Sequence, residues 1–408
     1  MAKWCHSATN LLCAPWSTTG DPVSVEDLRF PDEPSSGGWG DTNVVGRLIR
    51  WAGELGASDI KVVPTGPVAI RVHGNYHLVT REIPSRNEMS LLLEGMTSSR
   101  ATAASALGGS VENFSYQVPR VSGDRRSGFW RMRCVVTSVL MPEGDELGLS
   151  LTMRFIPDVI PDIEELGISP DLLSMFLIQH GLVSVAGVMG SGKSTTLASV
   201  IAHVRRTRRD AVLSLESPIE FDQANVPGAI GVVEQMEVPR MVKSFALGIE
   251  SATRKAVDVL LVGETNNRET MAAMIQAAEI GIAVYHTIHT SSVAAIPARI
   301  IHSFSAEEAP GIAVSFCGSA RFLLQQRLLP RAGGGRVALR EWISLTEDHR
   351  QALIDTPHDK LFAVLEGMVQ KDGHSLLQDA REMLERGWIE ESVFRKVETE
   401  KMRLAEVL

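Results

Sequence analysis

Aromatic residues and cysteines are scarce in this chain, and long apolar runs are absent. Aromatics make up 5% of its 408 residues, and they never interleave with basic residues in the way a single-strand nucleic-acid surface requires. The four cysteines, Cys5, Cys13, Cys134 and Cys317, show neither CxxC nor Cys/His ligand spacing. That excludes a zinc ribbon or a disulfide framework and suits reduced thiols in a cytosolic protein. No apolar run approaches the ~18 residues of a membrane span, and the first residues have no signal-peptide core. A cytoplasmic protein is expected, with any membrane role passing through partners. Positive charge is also short: 40 Lys and Arg stand against 49 Asp and Glu, a net charge of −9. Such a balance argues against direct nucleic-acid binding. No internal repeat is visible, and the Asn-Lys-x-Asp signature of guanine-specific enzymes is missing. What remains is ordinary globular composition, 44% apolar and 22% charged, at a length that implies two to three domains.

Against that background one run stands out. Gly187-Val188-Met189-Gly190-Ser191-Gly192-Lys193-Ser194 fits the pattern G-x-x-x-x-G-K-[ST] at every fixed position. An apolar stretch, Leu182 to Val188, leads in and a helix-forming stretch, Ser194 to Val204, leads out. The glycines let successive N–H groups turn inward on phosphate oxygens, and the helix adds its positive end. Lys193 can reach the β- and γ-phosphates and Ser194 can hold Mg²⁺. The expected nucleotide contacts are Gly187, Gly190, Ser191, Gly192, Lys193, Ser194 and Thr195, with ATP and Mg²⁺ as cofactors.

Composition divides the chain. Residues 1–40 are rich in Ser, Thr, Pro, Gly and Asp and read as a poorly ordered extension. Residues 41–156 read as a compact α+β domain. It has a helix from Asn43 to Leu55, a hairpin of Ile60–Val63 and Val68–Val72, helical material from Asn87 to Leu107, and strands over Gly128–Val139 and Gly148–Phe155. Residues 157–170, with three prolines in or beside them, read as a linker. Over 171–340 apolar strand candidates (Val183–Val188, Ala211–Leu215, Val257–Val262, Ile282–Ile288) alternate with helices, the mark of a mainly parallel sheet covered on both faces. Residues 341–408 turn helical and charged and read as an appendage. Arg205, Arg206, Arg208 and Arg209 end the helix after the phosphate loop, where they are expected to complement its dipole and face solvent.

Two strand candidates end in acids. Leu213-Ser214-Leu215 runs into Glu216, and Val259-Leu260-Leu261-Val262-Gly263 into Glu264. Carboxylates at strand ends beside a phosphate loop suit two tasks, holding Mg²⁺ or its water and orienting the attacking water. We expect Glu264, with Ser194, in the first and Glu216 in the second. His289 ends a fourth run and could contact phosphate or report nucleotide state; His286 lies two residues earlier on the same strand face.

The set GVMGSGKSTTLASV, LESPIEF, VDVLLVGE and HTIHTSS, in this order, resembles the PilT-type secretion and pilus ATPases, which are hexameric P-loop motors. The resemblance implies a RecA-like ATPase domain preceded by a PAS-like α+β domain. In that scheme Glu216 matches the Asp box, Glu264 the Walker B glutamate and His289 the His box. Gly56-Ala57-Ser58-Asp59, Arg131-Met132-Arg133 and Met153-Arg154-Phe155-Ile156-Pro157 are similar to the family's first domain. The resemblance thus implies that Arg131, Arg133 and Arg154 approach the γ-phosphate as arginine fingers. Ser217 in place of the usual aspartate, and the run Arg336-Val337-Ala338-Leu339-Arg340-Glu341, are more similar to the DotB/TraJ branch, which serves type IVB secretion and IncI-type conjugation. That implies a homohexamer working on the components of a secretion or conjugation machine at the inner-membrane face. A pilus retraction motor or a weakly hydrolysing docking module are the alternatives. The family's usual Gly-Glu-x-Arg-Asp is here Gly263-Glu264-Thr265-Asn266-Asn267, and its arginine one turn before Arg254 is Glu250; each change removes a cation and implies slow intrinsic hydrolysis.

Overall fold

The computed structural model describes residues 28–35, 38–72, 75–142, 144, 146–156 and 159–407. Contacts divide the chain into two units between residues 158 and 159. Residues 1–27 of the expected extension lie outside the described residues, as do 157 and 158 at the start of the expected linker.

In the first unit, α1 (Thr42–Glu54) is followed by β1 (Asp59–Val62), β2 (Ala69–Val72), β3 (Asn75–Leu78), α2 (Arg86–Thr97), α3 (Arg100–Leu107), β4 (Glu112–Val121), β5 (Asp124–Leu140) and β6 (Leu147–Ile156). The strands form an antiparallel sheet in the order β3-β2-β1-β6-β5-β4. Alternation decides its faces. Met132, Cys134, Leu151 and Met153 turn into a core with Val44, Val45, Leu48 and Ile49 of α1 and Leu92 and Leu93 of α2. The helical material expected from Asn87 to Leu107 is two helices, because Ser98 takes a left-handed conformation and Ser99 caps α3. The extension also differs from expectation. Phe30 and Trp39 are buried in this core, and the backbone N–H of Trp39 donates to Glu88 Oε1 at 2.8 Å. Two aromatic anchors are enough to hold a segment whose composition otherwise reads as disordered.

The second unit contains α4 (Pro170–Phe176), β7 (Gly181–Ala186), α5 (Lys193–Thr207), β8 (Ala211–Glu216), β9 (Val232–Glu237), α6 (Phe245–Ala252), β10 (Val259–Val262), α7 (Arg268–Glu279) and β11 (Ala283–Ile288). It continues with α8 (Ala295–Ile301), α9 (Ala309–Ser319), β12 (Ala320–Pro330), β13 (Arg336–Ser344), α10 (Glu347–Ile354), α11 (Leu361–Asp372), α12 (Leu376–Glu385) and α13 (Glu391–Val407). The sheet order is β13-β12-β7-β11-β10-β8-β9; every pairing is parallel except β12 with β13. Strands β7, β10 and β11 are buried at every position, as expected where both faces are covered. One face packs against α4 and α5 and the other against α6 to α11.

The ends of this unit depart from the sequence reading. Ile163 and Ile168, in the expected linker, are buried against β7 and α5, so the described part of that segment belongs to the second unit's core. The expected appendage begins inside β13, and Leu353, Leu361, Leu365 and Val369 of α10 and α11 belong to the same core as β10 and β11. Only α12 and α13 form a separate cluster, around Leu339 of β13. Charged residues on the outer faces of these helices disguise their apolar stripes. Arg205 and Arg208 are likewise not simply solvated. Arg205 is buried and donates to the Gln223 and Gly231 carbonyls, while Arg208 pairs with Asp210 at 2.6 Å. Cys134 is buried in the first unit and Cys317 in the second; burial pushes the Cys317 thiol up to about 12.

Candidate nucleotide site

Strand β7 runs between β11 and β12, and the phosphate loop leaves its carboxyl end, where open α/β sheets place ligands. Gly187, Gly190 and Gly192 take φ of 151°, 76° and 85°, values that a side chain would strain. Two of them also lack room. A Cβ on Gly187 would meet the Gln326 carbonyl oxygen at 2.3 Å, and one on Gly192 the Gln326 side-chain nitrogen at 2.9 Å. Gly192 caps α5 without a side-chain hydrogen bond, so the first-turn N–H groups of α5 face the loop without a side-chain acceptor.

Lys193 is buried, and its Nζ donates to the Gly187 and Val188 carbonyls at 2.9 and 3.0 Å. The ammonium spans the loop, held by neutral oxygens where phosphate oxygens would serve. Burial lowers its pKa, while Glu264 and Glu220 act in the opposite sense. The Ser191 hydroxyl is buried with no hydrogen-bond partner, a polar atom inside the loop awaiting one. Inward-turned glycines, a lysine, an unpartnered hydroxyl and an open helix end fit a polyphosphate. Ser194 and Thr195 follow, half-buried in the first turn of α5. The hard oxygens of Ser194 and Glu264 fit Mg²⁺.

The two acids lie on neighbouring strands. Glu216 ends β8, and Glu264 stands two residues beyond β10, whose Val262 is in register with Leu215. A Cβ on Gly263 would lie 3.3 Å from Glu216 Cα. Glu216 is buried, and burial raises its pKa against three donors: the Ser214 hydroxyl, Gln235 Nε2 at 3.1 Å and the Glu220 N–H at 3.3 Å. Gln235, on β9, also bonds the backbone of Phe221 and Gln223, so one amide holds both the carboxylate and the loop after it.

His289 Nδ1 lies 3.2 Å from the Gly187 carbonyl, one of the two oxygens that hold Lys193, so the structure joins His289 to the phosphate loop. His286 does something else. It is fully buried, with Nε2 2.7 Å from Ser184 Oγ and Nδ1 3.2 Å from Thr265 Oγ1, and burial brings its pKa down to about 4. It is a neutral histidine bracing β11 on β7. Asn267 caps α7 by accepting from the Thr270 N–H, a task asparagine performs as well as aspartate. The capping task of this segment is therefore met by Asn267, and Asn266 beside it is exposed. Glu250 pairs with Arg254 at 2.6 Å.

The three arginines lie in the first unit, in one face row of its sheet. Arg133 and Arg154 are register partners, and Asp59 is the partner of Arg154 on its other side. Arg154 Nε lies 2.7 Å from Asp59 Oδ1, and Arg71 Nη1 lies 4.0 Å from Oδ2. Arg131, two residues from Arg133, shares that face. Sequence reasoning gave no site role to Gln235, Gln326 and Arg340, although Arg340 lies in a run that carries the branch resemblance. For Gln326 and Arg340 the structural signal is an amide or guanidinium inside an otherwise apolar strand, here the buried Gln325-Gln326 and Arg340-Glu341 pairs.

A parallel α/β sheet with this loop, helix and acid pair defines a P-loop nucleotide-binding protein. Comparison with known proteins narrows the class. Residues 141–334 match the model of the type II/IV secretion system protein family. The chain is 31% identical to the type IV pilus retractation ATPase PilT of Pseudomonas aeruginosa over 296 residues, covering 72% of this chain and 80% of the relative. Among solved structures, the Legionella pneumophila ATPase DotB superposes with a TM-score of 0.83 at 31% identity, covering 91% of this chain and 99% of that one. The pilus retraction motor PilT with bound ADP gives 0.71 at 27% identity, covering 86% and 96%. The chain belongs to the PilT family of type II/IV secretion ATPases.

Proposed function

We propose that this chain is a Mg²⁺-dependent ATPase that assembles as a homohexamer and energises a type IVB secretion or conjugative transfer apparatus at the inner-membrane face. The observation that carries the reading is the likeness to DotB over nearly the whole of both chains. In this reading the loop amides, Lys193 and Ser194 bind the phosphates, and Thr195 extends the helix end that receives them. Ser194 and Glu264 would hold Mg²⁺, which would supply charge neutralisation on the phosphates. Glu216, kept in place by Ser214, Gln235 and the Glu220 N–H, orients the attacking water and accepts its proton. Lys193 exchanges the Gly187 and Val188 carbonyls for phosphate oxygens, and His289, on the same carbonyl, senses that exchange. In the same reading the first unit is PAS-like and carries Arg131, Arg133 and Arg154 as charge-stabilising groups. Exposed Asn266 and Glu250, in place of two cations, imply slow turnover until partners assemble.

The likeness to PilT favours pilus retraction as the second reading. Deletion of the gene in its host separates them. Loss of plasmid transfer or protein secretion, with surface motility intact, supports the first; loss of twitching with transfer and secretion intact overturns it.

A further inference from the structure

Beneath the phosphate loop lies an amide whose three hydrogen bonds are all specific. Gln326 of β12 is almost fully buried. Its Nε2 donates to the Ser191 carbonyl at 2.7 Å, and its Oε1 accepts from Thr196 Oγ1 at 2.9 Å and from Arg340 Nε at 3.0 Å. Gln326 and Arg340 are register partners across β12 and β13. Arg340 is itself buried, and its Nη2 donates to the Leu166 carbonyl at 2.8 Å, while its backbone N–H donates to Asp379 Oδ2 at 2.7 Å.

These partners leave the amide one orientation. A guanidinium offers donors and no acceptor, so the amide oxygen must face Arg340. The Thr196 hydroxyl donates to the same oxygen, and the NH₂ is left for Ser191. The carbonyl and N–H of a trans peptide point in opposite directions. Drawing the Ser191 carbonyl toward β12 therefore turns the Gly192 N–H away from it, toward the side on which a P-loop holds phosphate. The two glycines that crowd Gln326, Gly187 and Gly192, let the loop settle this close.

We infer that Gln326 is a positioning residue for the phosphate loop, aiming the Gly192 N–H at the β-phosphate, and that Arg340 sets the sense of its amide. The inference rests on the nucleotide reading above. Its consequence is specific to phosphate: the gain in affinity from AMP to ADP depends on Gln326, while contacts to the rest of the nucleotide do not.

The test is titration of the full-length chain with ADP, and with AMP by competition, in the presence of Mg²⁺. Gln326→Leu is expected to weaken ADP by about tenfold or more, the usual scale for a lost hydrogen bond to a charged group, and to leave AMP within about twofold. Gln326→Glu is the sharper variant. It keeps shape, the Thr196 bond and the Arg340 bond, but turns an acceptor toward the Ser191 carbonyl. We expect its ADP affinity to fall at least as far while its melting temperature is no lower than wild type. A purely structural role predicts the reverse, with Gln326→Glu near wild type in ADP binding. Unchanged ADP affinity in Gln326→Leu, or equal loss of ADP and AMP, overturns the inference. If Gln326→Leu fails to fold, Gln326→Glu decides alone. A wild-type chain that binds no ADP overturns the ATPase reading itself and this inference with it.

Discussion

His286 makes the stability of the second unit depend on pH in a way that can be worked out from its surroundings. Its two ring nitrogens meet the hydroxyls of Ser184 and Thr265, and burial, opposed by a hydrogen bond with the Thr287 backbone, lowers its pKa from 6.5 to about 4. The unfolded chain takes up the proton near pH 6.5 and the folded one resists it, so protonation favours unfolding as the pH falls through that interval. Stability is thus fully present above pH 6.5 and is lost progressively toward pH 4. One pKa unit corresponds to about 1.4 kcal/mol, so the whole shift amounts to about 3 kcal/mol, of which about 2 kcal/mol is lost between pH 7.5 and pH 5. Hydrogen exchange of the β11 amides, in wild type and His286→Gln at matched pH, reads this directly because intrinsic exchange chemistry cancels in the difference. Wild-type protection should fall relative to the variant by about 30-fold over that interval. Parallel curves would refute the reasoning and mean that the protonated ring finds an acceptor in the folded state.

Three further outcomes are expected. Glu216→Gln should keep ADP affinity within a few-fold and lower the rate of phosphate release by about 10²- to 10⁴-fold, the scale of a lost general base; normal turnover would remove Glu216 from that role. Gly192→Ala, forced to a φ of 85° with its Cβ 2.9 Å from Gln326 Nε2, should cost about 1–2 kcal/mol in thermal stability and weaken ADP binding together with it. Leu365→Ala should cost about 2–5 kcal/mol and loosen the amides of β10 and β11. Loss confined to α11 would mean that the last helices form a separate body after all.

How much was legible depended on whether the information was local. The phosphate loop, the strands before Glu216 and Glu264 and the run ending at His289 are short apolar segments closed by a chemically special residue, and each can be read without its neighbours. Strands β12 and β13 were missed because Gln325, Gln326, Arg340 and Glu341 interrupt their apolar pattern, and what excuses those polar groups inside a core is a set of partners far away in the chain. Strand β9 lies at the sheet edge, where its half-exposed alternation, Val232 to Glu237, carries little weight. The segment around Phe30 and Trp39 failed for the opposite reason: composition averages over many residues, and two buried rings decide its fate. For the same reason α10 and α11 read as a charged tail although one stripe of each completes the main core.

The two buried thiols have a practical consequence. A thiol reacts as thiolate, and burial withholds access to both; at Cys317 it withholds ionisation as well. With Cys5 and Cys13 replaced by serine, each unit retains a single thiol, Cys134 in one core and Cys317 in the other. An alkylating reagent would then mark each unit only at the moments when that unit opens. Mass spectrometry of the two labelled peptides would keep separate time for the two units, with no foreign label attached.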